Sequence, residues 1–511
     1  MSESTDFLSE TKPQGRLELL STELLIDRVE FLEQEVTRLI SDNYRLRNQD
    51  VSDTQIRLLL EEQLRAANAA RFAVSSERYK QHEEEAKNTP DSIKPAKPRI
   101  KRPSERYPNV PVREQVVAMD PVPTCDACGS QMSDSGMRES AEQLTVIPKK
   151  YEILKVSRVK YRCSCHSCIA TATAPRRIIE GSSYSDEMTL DVAMSKYCDL
   201  IPIHRYVAMA ARSGVSGIPS QSLIELTHGL SDFVEPAYEL LKAQMMSSRV
   251  LHADETPHRM LEGSSKSSWY LWGFSTPRVC FLECHDTRSG DVASEILRQS
   301  KCEVIVSDVY AGYGKAIRVS NAARLGAGLA SIANANCNAH ARRYFFKSVS
   351  EDDKTAEWYL DRYHQIYELN KQSKGQAPPG VLEFRVQMRP IFEAMQERAT
   401  SELSGHSTKS QYGKALRYFV DNYEGLTLFL ADAEVPIDNN PQERLLRNHV
   451  IGRKTWYGTH SKRGAKTAGV LFSLVETCKM NEVNPREYFN ALVTEMLKGL
   501  APFTPAEFKL R

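Results

Sequence analysis

Asp254 and Asp308 each close an apolar run, Val250-Leu251-His252-Ala253-Asp254 and Glu303-Val304-Ile305-Val306-Ser307-Asp308. Glu443 follows Asp438-Asn439-Asn440-Pro441-Gln442, where a helical pattern begins. Three carboxylates so placed suit phosphodiester chemistry. Hard divalent cations such as Mg2+ or Mn2+ take oxygen ligands and keep positions open for water and phosphate. Two of them, about 3.5–4 Å apart, activate an attacking oxygen and steady a leaving one in an in-line displacement. The same arrangement serves water cutting a DNA strand and a DNA 3′-hydroxyl attacking another. Each acid alone has a blander reading. A strand-end Asp caps a turn, and a first-turn Glu complements the helix dipole. Neighbouring strand residues point to opposite faces, so Asp254 and Glu255 cannot both point inward; Asp254 is taken as the ligand and Glu255 as the lesser alternative.

The elements that must position these acids are legible in the pattern. Strands are expected at Val250–Asp254, Ser268–Phe274, Val279–Cys284 and Cys302–Asp308, with a helix at Asp291–Gln299. Pro257 marks the expected exit of the first strand. Three adjacent strands, a crossover helix and a fourth strand fit the opening of a ribonuclease-H-like mixed sheet. Residues 350–432 then read as a helical insertion, interrupted at Gly375–Gly380. Asn440 and Pro441 suit the N-cap and N1 of a helix, which puts Glu443 in its first turn.

The net charge of +1 decides nothing, but its distribution does. Residues 149–177 carry eight basic side chains against Glu152 alone, and residues 442–466 carry seven against Glu443 alone. Such stretches in a neutral chain suggest local phosphate contacts, with solvated surface as the equal alternative. The candidates are Arg444, Arg447, Arg453 and Lys454 near the third acid, Arg342 and Arg343 after the second, and Lys101 and Arg102 in a proline-rich linker. His340 and Arg343, three apart on a helix, could face one phosphate. Trp456 reads first as a core residue and second as a base contact.

Five of the eleven cysteines crowd between Cys125 and Cys168. Cys125, Cys128, Cys165 and Cys168 form two C-x-x-C knuckles suited to a tetrahedral, structural Zn2+, with Cys163 and His166 as the alternative second pair. Short strands are expected between them at Leu144–Ile147 and Ile153–Val156. Residues 1–92 are acidic, with 12 basic and 19 acidic side chains. Within them Leu25, Val29, Leu32, Val36, Leu39, Asn43 and Leu46 repeat at heptad spacing. An Asn at an a position favours a parallel two-stranded coil, so a dimer is expected; a helix packed on its own chain is the alternative. No apolar run reaches the roughly 20 residues of a membrane span and the first residues are polar, so a cytoplasmic location follows.

These motifs together resemble the transposases of the insertion-sequence-66 family, large subunit, of DDE type. The matching stretches are Ser76-Glu77-Arg78, Cys125 with Cys128, Glu142-Gln143-Leu144-Thr145-Val146-Ile147-Pro148 and Lys160-Tyr161-Arg162-Cys163. They continue through His252-Ala253-Asp254-Glu255-Thr256, Ser307-Asp308-Val309-Tyr310-Ala311-Gly312-Tyr313 and Ala339-His340-Ala341-Arg342-Arg343. Asp438-Asn439-Asn440-Pro441-Gln442-Glu443-Arg444 and Gly452-Arg453-Lys454 complete them. The resemblance implies Asp254, Asp308 and Glu443 as a catalytic triad, binding of an element's terminal inverted repeats, action as an oligomer, and small accessory proteins from the same element. The expected organisation is a coiled coil (1–52), a helical segment (53–87), a basic linker (88–119), a zinc unit (120–178) and a helical DNA-binding region (179–247). A multidomain α/β assembly follows: catalytic core (248–349), helical insertion (350–432), second core part (433–476) and helical tail (477–511). A catalytically silent DNA-binding repressor and a nuclease that cuts without joining are the competing readings.

Overall fold

The computed structural model describes residues 35, 36, 38, 102–127, 129–134, 140–164, 168–261, 268–349, 355–407 and 409–511. They belong to two compact units, 1–144 and 145–511. In the first, a one-turn helix covers Pro103–Arg106, with Arg102 exposed just before it. A tight turn follows at Cys125, whose N–H donates to Ser130 O at 2.8 Å while the Gly129 N–H returns to Cys125 O at 2.8 Å. Gly129 sits at φ +71, a conformation that favours glycine. Of the expected heptad only Glu35, Val36 and Arg38 are described, all helical; the rest of the coil, Lys101, Cys128, Cys165 and His166 lie outside the described residues.

The second unit opens with an antiparallel hairpin, β1 (Lys160–Arg162) and β2 (Ile169–Thr171). The Cys163 N–H donates to Cys168 O at 3.0 Å, so these two cysteines close the ladder at its tip. The strands expected at 144–147 and 153–156 do not form. Ile147 and Ile153 are 80% and 97% exposed there, and apolar composition makes a strand only where a neighbour pairs its backbone.

Three helices follow, α1 (Asp186–Tyr197), α2 (Ile203–Arg212) and α3 (Ser220–Met246). α3 buries Leu223, Leu226, Leu230, Val234, Ala237 and Leu241, a spacing of three and four that gives one apolar face for the core.

The main sheet has the order β5-β4-β3-β6-β7. β3 (Val250–Arg259), β4 (Ser268–Ser275) and β5 (Cys280–His285) are antiparallel neighbours, while β6 (Val304–Ser307) and β7 (Ala333–Asn336) run parallel to β3. α4 (Asp291–Gln299) leads into β6, and α5 (Ala311–Gly326) carries the chain from β6 to β7. All four expected strands and the crossover helix are present. β7, Ala-Asn-Ala-Asn, has no strand signal in its composition and is held by pairing with β6.

Pro257 does not end its strand, which runs on to Arg259. Pairing with β6 stops at His252, whereas pairing with β4 continues to Arg259. Beyond His252 one side of β3 has no strand neighbour, and an edge of that kind tolerates a proline.

α6 (Asn338–Ser348) precedes the insertion, which consists of α7 (Thr355–Gln372), α8 (Pro378–Leu403), α9 (Gln411–Asp421) and short turns to Ala431. Phe345, Tyr359, Tyr363, Phe392 and Phe419 form its aromatic core together with Val304 and Val306 of β6, so the insertion is seated on the sheet. α10 (Asn440–Trp456) lies against β3 and β4. α11 (Lys462–Met480) is buried almost continuously from Gly464 to Cys478, the pattern of a helix inside a core.

α11 also closes the β5 edge of the sheet. Ser473 Oγ accepts from Leu282 N–H at 2.8 Å and Thr477 Oγ1 from Cys280 N–H at 3.0 Å. Gly469, one turn earlier, lets the helix come that close, since a side-chain carbon there would meet Leu282 O. Hydroxyls at helical spacing thus satisfy an edge that would otherwise be open to pairing. α12 (Pro485–Leu497) completes this core with Tyr488 and Phe489.

Candidate active site

The last paired rung between β3 and β6 is His252 with Val306. Asp254 and Asp308 each stand two residues past that rung, on adjacent parallel strands. Asp254 lies within β3 and Asp308 one residue past the end of β6, close enough for the Asp308 charge to act on Asp254. Asp254 Oδ1 accepts from the Glu255 N–H at 2.9 Å, and Asp308 Oδ1 accepts from the Tyr310 N–H at 3.1 Å. Burial, then the negative charges of Glu255, Asp308 and Glu443, push the Asp254 carboxyl up to about 8.

Glu255 is held differently. Arg288 lies 2.7 Å from its carboxylate and the Tyr313 hydroxyl donates to it at 2.6 Å. Arg288 is itself stacked over the Tyr310 ring at 4.1 Å. The protein answers the charge of Glu255, whereas Asp254 faces further acids.

Glu443 enters from α10, whose start is fastened to β3. Asn439, 1% exposed, donates from Nδ2 to Ala253 O at 2.7 Å and accepts at Oδ1 from His252 Nδ1 at 2.8 Å. The residue before Asp254 and the helix that carries Glu443 are therefore joined through one amide. Asn439, not Asn440, is the N-cap, and Pro441 falls at the second helical position. The Asn439 side chain makes no cap bond because it is committed to β3; Asp438 Oδ1 instead accepts from the Asn440 N–H at 3.1 Å. Gln442, fully buried, packs over Gly273, the β4 partner of Asp254, where any side chain would collide with it.

The Glu443 side chain faces α6. His340 Nδ1 is 3.7 Å and Arg343 Nη2 3.8 Å from its oxygens. Both distances exceed a hydrogen bond, and Glu443 Oε1 and His340 Nδ1 are buried without hydrogen-bond partners. Among the described residues, the three metal-competent donors lying within 4.8 Å of one another belong to Cys337, His340 and Glu443. The three acids are not drawn that close together, although Glu443 is near enough to raise the Asp254 carboxyl.

Arg444, Arg447 and Lys454 form an exposed stripe on α10, three and seven residues apart. Arg453 differs from them: it is half-buried, its guanidinium destabilised by burial, and its charge acts on His258 and His449. Those two imidazoles meet at 3.0 Å between β3 and α10, and His258 Nε2 reaches Thr459 Oγ1 at 2.8 Å. Trp456 packs against the core with Lys196 over its ring at 5.7 Å. Sequence reasoning gave no role to Asn439 or to the two histidines; Asn439 stood there only as part of the Asp438–Arg444 stretch that carries the resemblance.

The sequence profile described as Transposase IS66 family matches residues 181–467, more than half of the chain. The chain belongs to the IS66 family of transposases. Three proteins of Sinorhizobium fredii (strain NBRC 101917 / NGR234), all named as uncharacterized, are also similar. Protein y4hP is 25% identical over 76% of this chain and 73% of its own. Protein y4qI is 26% identical over 71% and 68%, and y4jD 23% over 73% and 75%. The matched region of this transposase runs from before α1 into α11 and includes the five-stranded mixed sheet of its DDE domain. Membership implies an enzyme of DNA transposition that binds DNA and works with divalent metal ions. No helix among the described residues is long and apolar enough to cross a membrane.

Proposed function

We propose that this transposase binds the terminal inverted repeats of its element and carries out Mg2+-dependent strand cleavage and strand transfer, with Asp254, Asp308 and Glu443 as its catalytic carboxylates. The observation that carries the reading is the nearness of Asp308 and Glu443 to Asp254 just past the His252–Val306 rung, with the Glu443 helix fastened to β3 through Asn439. Asp254, lifted to about 8 by burial first and by the negative charges of Glu255, Asp308 and Glu443 second, belongs to a set of oxygen donors that calls for a hard cation. Asp254 and Asp308 would hold Mg2+ or Mn2+, with Glu443 completing the set. When bound, two such ions activate the attacking oxygen and steady the leaving one.

The protein's own part is placement. Asp254 would be held by β3 and Asp308 by the turn that leaves β6, while Asn439 holds the start of α10 against β3. The exposed stripe of Arg444, Arg447 and Lys454, with Arg342, Arg343 and Arg102 as further cations, would neutralise backbone phosphates and set the DNA's register. Zn2+ on the knuckle cysteines would be structural, and a coil-mediated dimer would present two active sites to two element ends.

The test is cleavage and joining of terminal-repeat DNA with Mg2+, comparing wild type with Asp254→Ala and Asp308→Asn. Both variants should lose at least about a thousandfold in rate, as expected when metal-held transition-state stabilisation is removed. Wild-type cutting by either variant would refute the assignment. Cutting without joining of pre-cut ends would identify a nuclease instead.

A further inference from the structure

We propose that Cys337, His340 and Glu443 form a binding site for a thiophilic divalent cation of the Zn2+ class, which shares Glu443 with the proposed carboxylate site for Mg2+. Cys337 stands at the N-cap position of α6 without a side-chain cap bond and His340 lies three residues on, so one helix start presents a thiol and an imidazole from neighbouring positions. Glu443 comes from the first turn of α10. The two helix starts are tied together by the Asn439 N–H donating to Cys337 Sγ at 3.2 Å and the Asn338 N–H donating to Ile437 O at 3.2 Å. The three donor atoms already lie within 4.8 Å of one another.

A tetrahedral Zn2+ with ligands at about 2.0–2.3 Å separates its donors by roughly 3.3–3.8 Å. His340 Nδ1 and Glu443 Oε1 are 3.7 Å apart, a little beyond the roughly 3.3–3.5 Å of a nitrogen–oxygen pair, so closing the set requires movements of about 1 Å. Both atoms are buried and unpartnered. An ion between them would satisfy two groups that the protein leaves unpaired, which a direct contact at this length does not. Arg343 approaches the other oxygen of Glu443, Oε2, and leaves Oε1 to the cation.

The donor set selects the metal. A thiolate, an imidazole and one carboxylate oxygen suit Zn2+ or Co2+ and are a poor set for Mg2+. Binding would release the thiol proton and leave the cation's remaining position to water. It would also hold Glu443 toward α6, away from Asp254 and Asp308. That consequence rests on the proposed role of Glu443; the binding itself does not.

The experiment titrates the full-length, Mg2+-free protein with Co2+ and follows its thiolate charge-transfer and visible bands. Wild type and Cys337→Ala are compared, so that signal from the cysteines between 125 and 168 cancels. Cys337→Ala should lose one equivalent of thiolate-bound Co2+, and His340→Gln should weaken that equivalent by roughly tenfold or more. Equal stoichiometry and equal bands in wild type and Cys337→Ala overturn the site. If Cys337→Ala does not fold, His340→Gln decides, and unchanged Co2+ affinity overturns the site.

A second arm measures Mg2+-supported cleavage with and without one added equivalent of Zn2+. The inhibition should be present in wild type and relieved in Cys337→Ala; equal inhibition in both overturns the inhibitory consequence. A protein that binds Co2+ through Cys337 yet cuts no DNA would sink the catalytic reading and leave the cation site standing.

Discussion

Replacing Asn439 with alanine tests how the catalytic geometry is held. The side chain is 1% exposed and makes two short hydrogen bonds, to Ala253 O and to His252 Nδ1. Alanine leaves a buried carbonyl and a buried imidazole N–H unanswered, at about 1–3 kcal/mol each, so roughly 2–6 kcal/mol of stability should go. The same bonds fix the start of α10 relative to Asp254. A shift of about 1 Å in a catalytic group can slow a reaction roughly a hundredfold.

The assay is single-turnover strand cleavage with Mg2+, at a temperature where circular dichroism shows the variant folded. DNA affinity is measured in parallel with a chelator present. The cleavage rate should fall about a hundredfold while DNA affinity is little changed. Asn439→Asp should not rescue, because a carboxylate can accept from His252 but cannot donate to Ala253 O. Wild-type rate together with a wild-type melting temperature would refute the reasoning; loss of DNA affinity in step with rate would show general disruption instead.

The buried pair His258 and His449 makes stability depend on pH. Burial holds His258 down at about 4, and His449 is likewise depressed. The unfolded chain therefore binds more protons below about 6.5, and the pair's contribution is complete above that pH and lost as pH falls toward 4, by about 3 kcal/mol for His258. Asp254 titrates the opposite way because its folded carboxyl is raised, so the histidine effect is read from the difference in urea midpoint between wild type and His258→Gln at pH 7.5 and 5.5. A difference that does not vary with pH would contradict it. Gly290→Ala drives a methyl group into the backbone carbonyl of Gly312 and should destabilise the α4–α5 packing by about 1–3 kcal/mol; an unchanged denaturation midpoint would show that the contact relaxes at no cost. Verified metal removal should make residues 120–175 more open to protease if the knuckles hold structural Zn2+, and unchanged digestion would count against that site. Asn43→Val should change the mass seen by light scattering if a two-stranded coil sets the oligomer; an unaltered mass would argue for a helix packed on its own chain.

Much of the sheet was readable because strand and helix periodicities are local. Val250 to Asp254 and Val304 to Asp308 show as apolar runs ended by an acid, and residues 350–432 show as a helical pattern broken at Gly375–Gly380. Pro257 misled because a proline's tolerance in a strand depends on whether a neighbour lies beside it, and β6 stops five residues short of it. The strands expected at 144–147 and 153–156 failed for the complementary reason: composition was present but pairing was not. β7 shows the reverse, with pairing outweighing a composition of alanine and asparagine.

What the amino-acid sequence determined by itself was the chemistry on offer: which side chains are carboxylates, where they fall on strand and helix patterns, and a constellation specific enough to indicate the family. Only the tertiary structure decided how those groups relate. Strand pairing brings Asp308 near Asp254, Arg288 pairs with Glu255 while Tyr313 donates to it, and Asn439 gives up its cap to fasten a helix. Glu443 faces a thiol and an imidazole from another helix start. Each of these is a contact between residues far apart in the chain, and local propensity carries no information about which distant partner will satisfy a buried polar group.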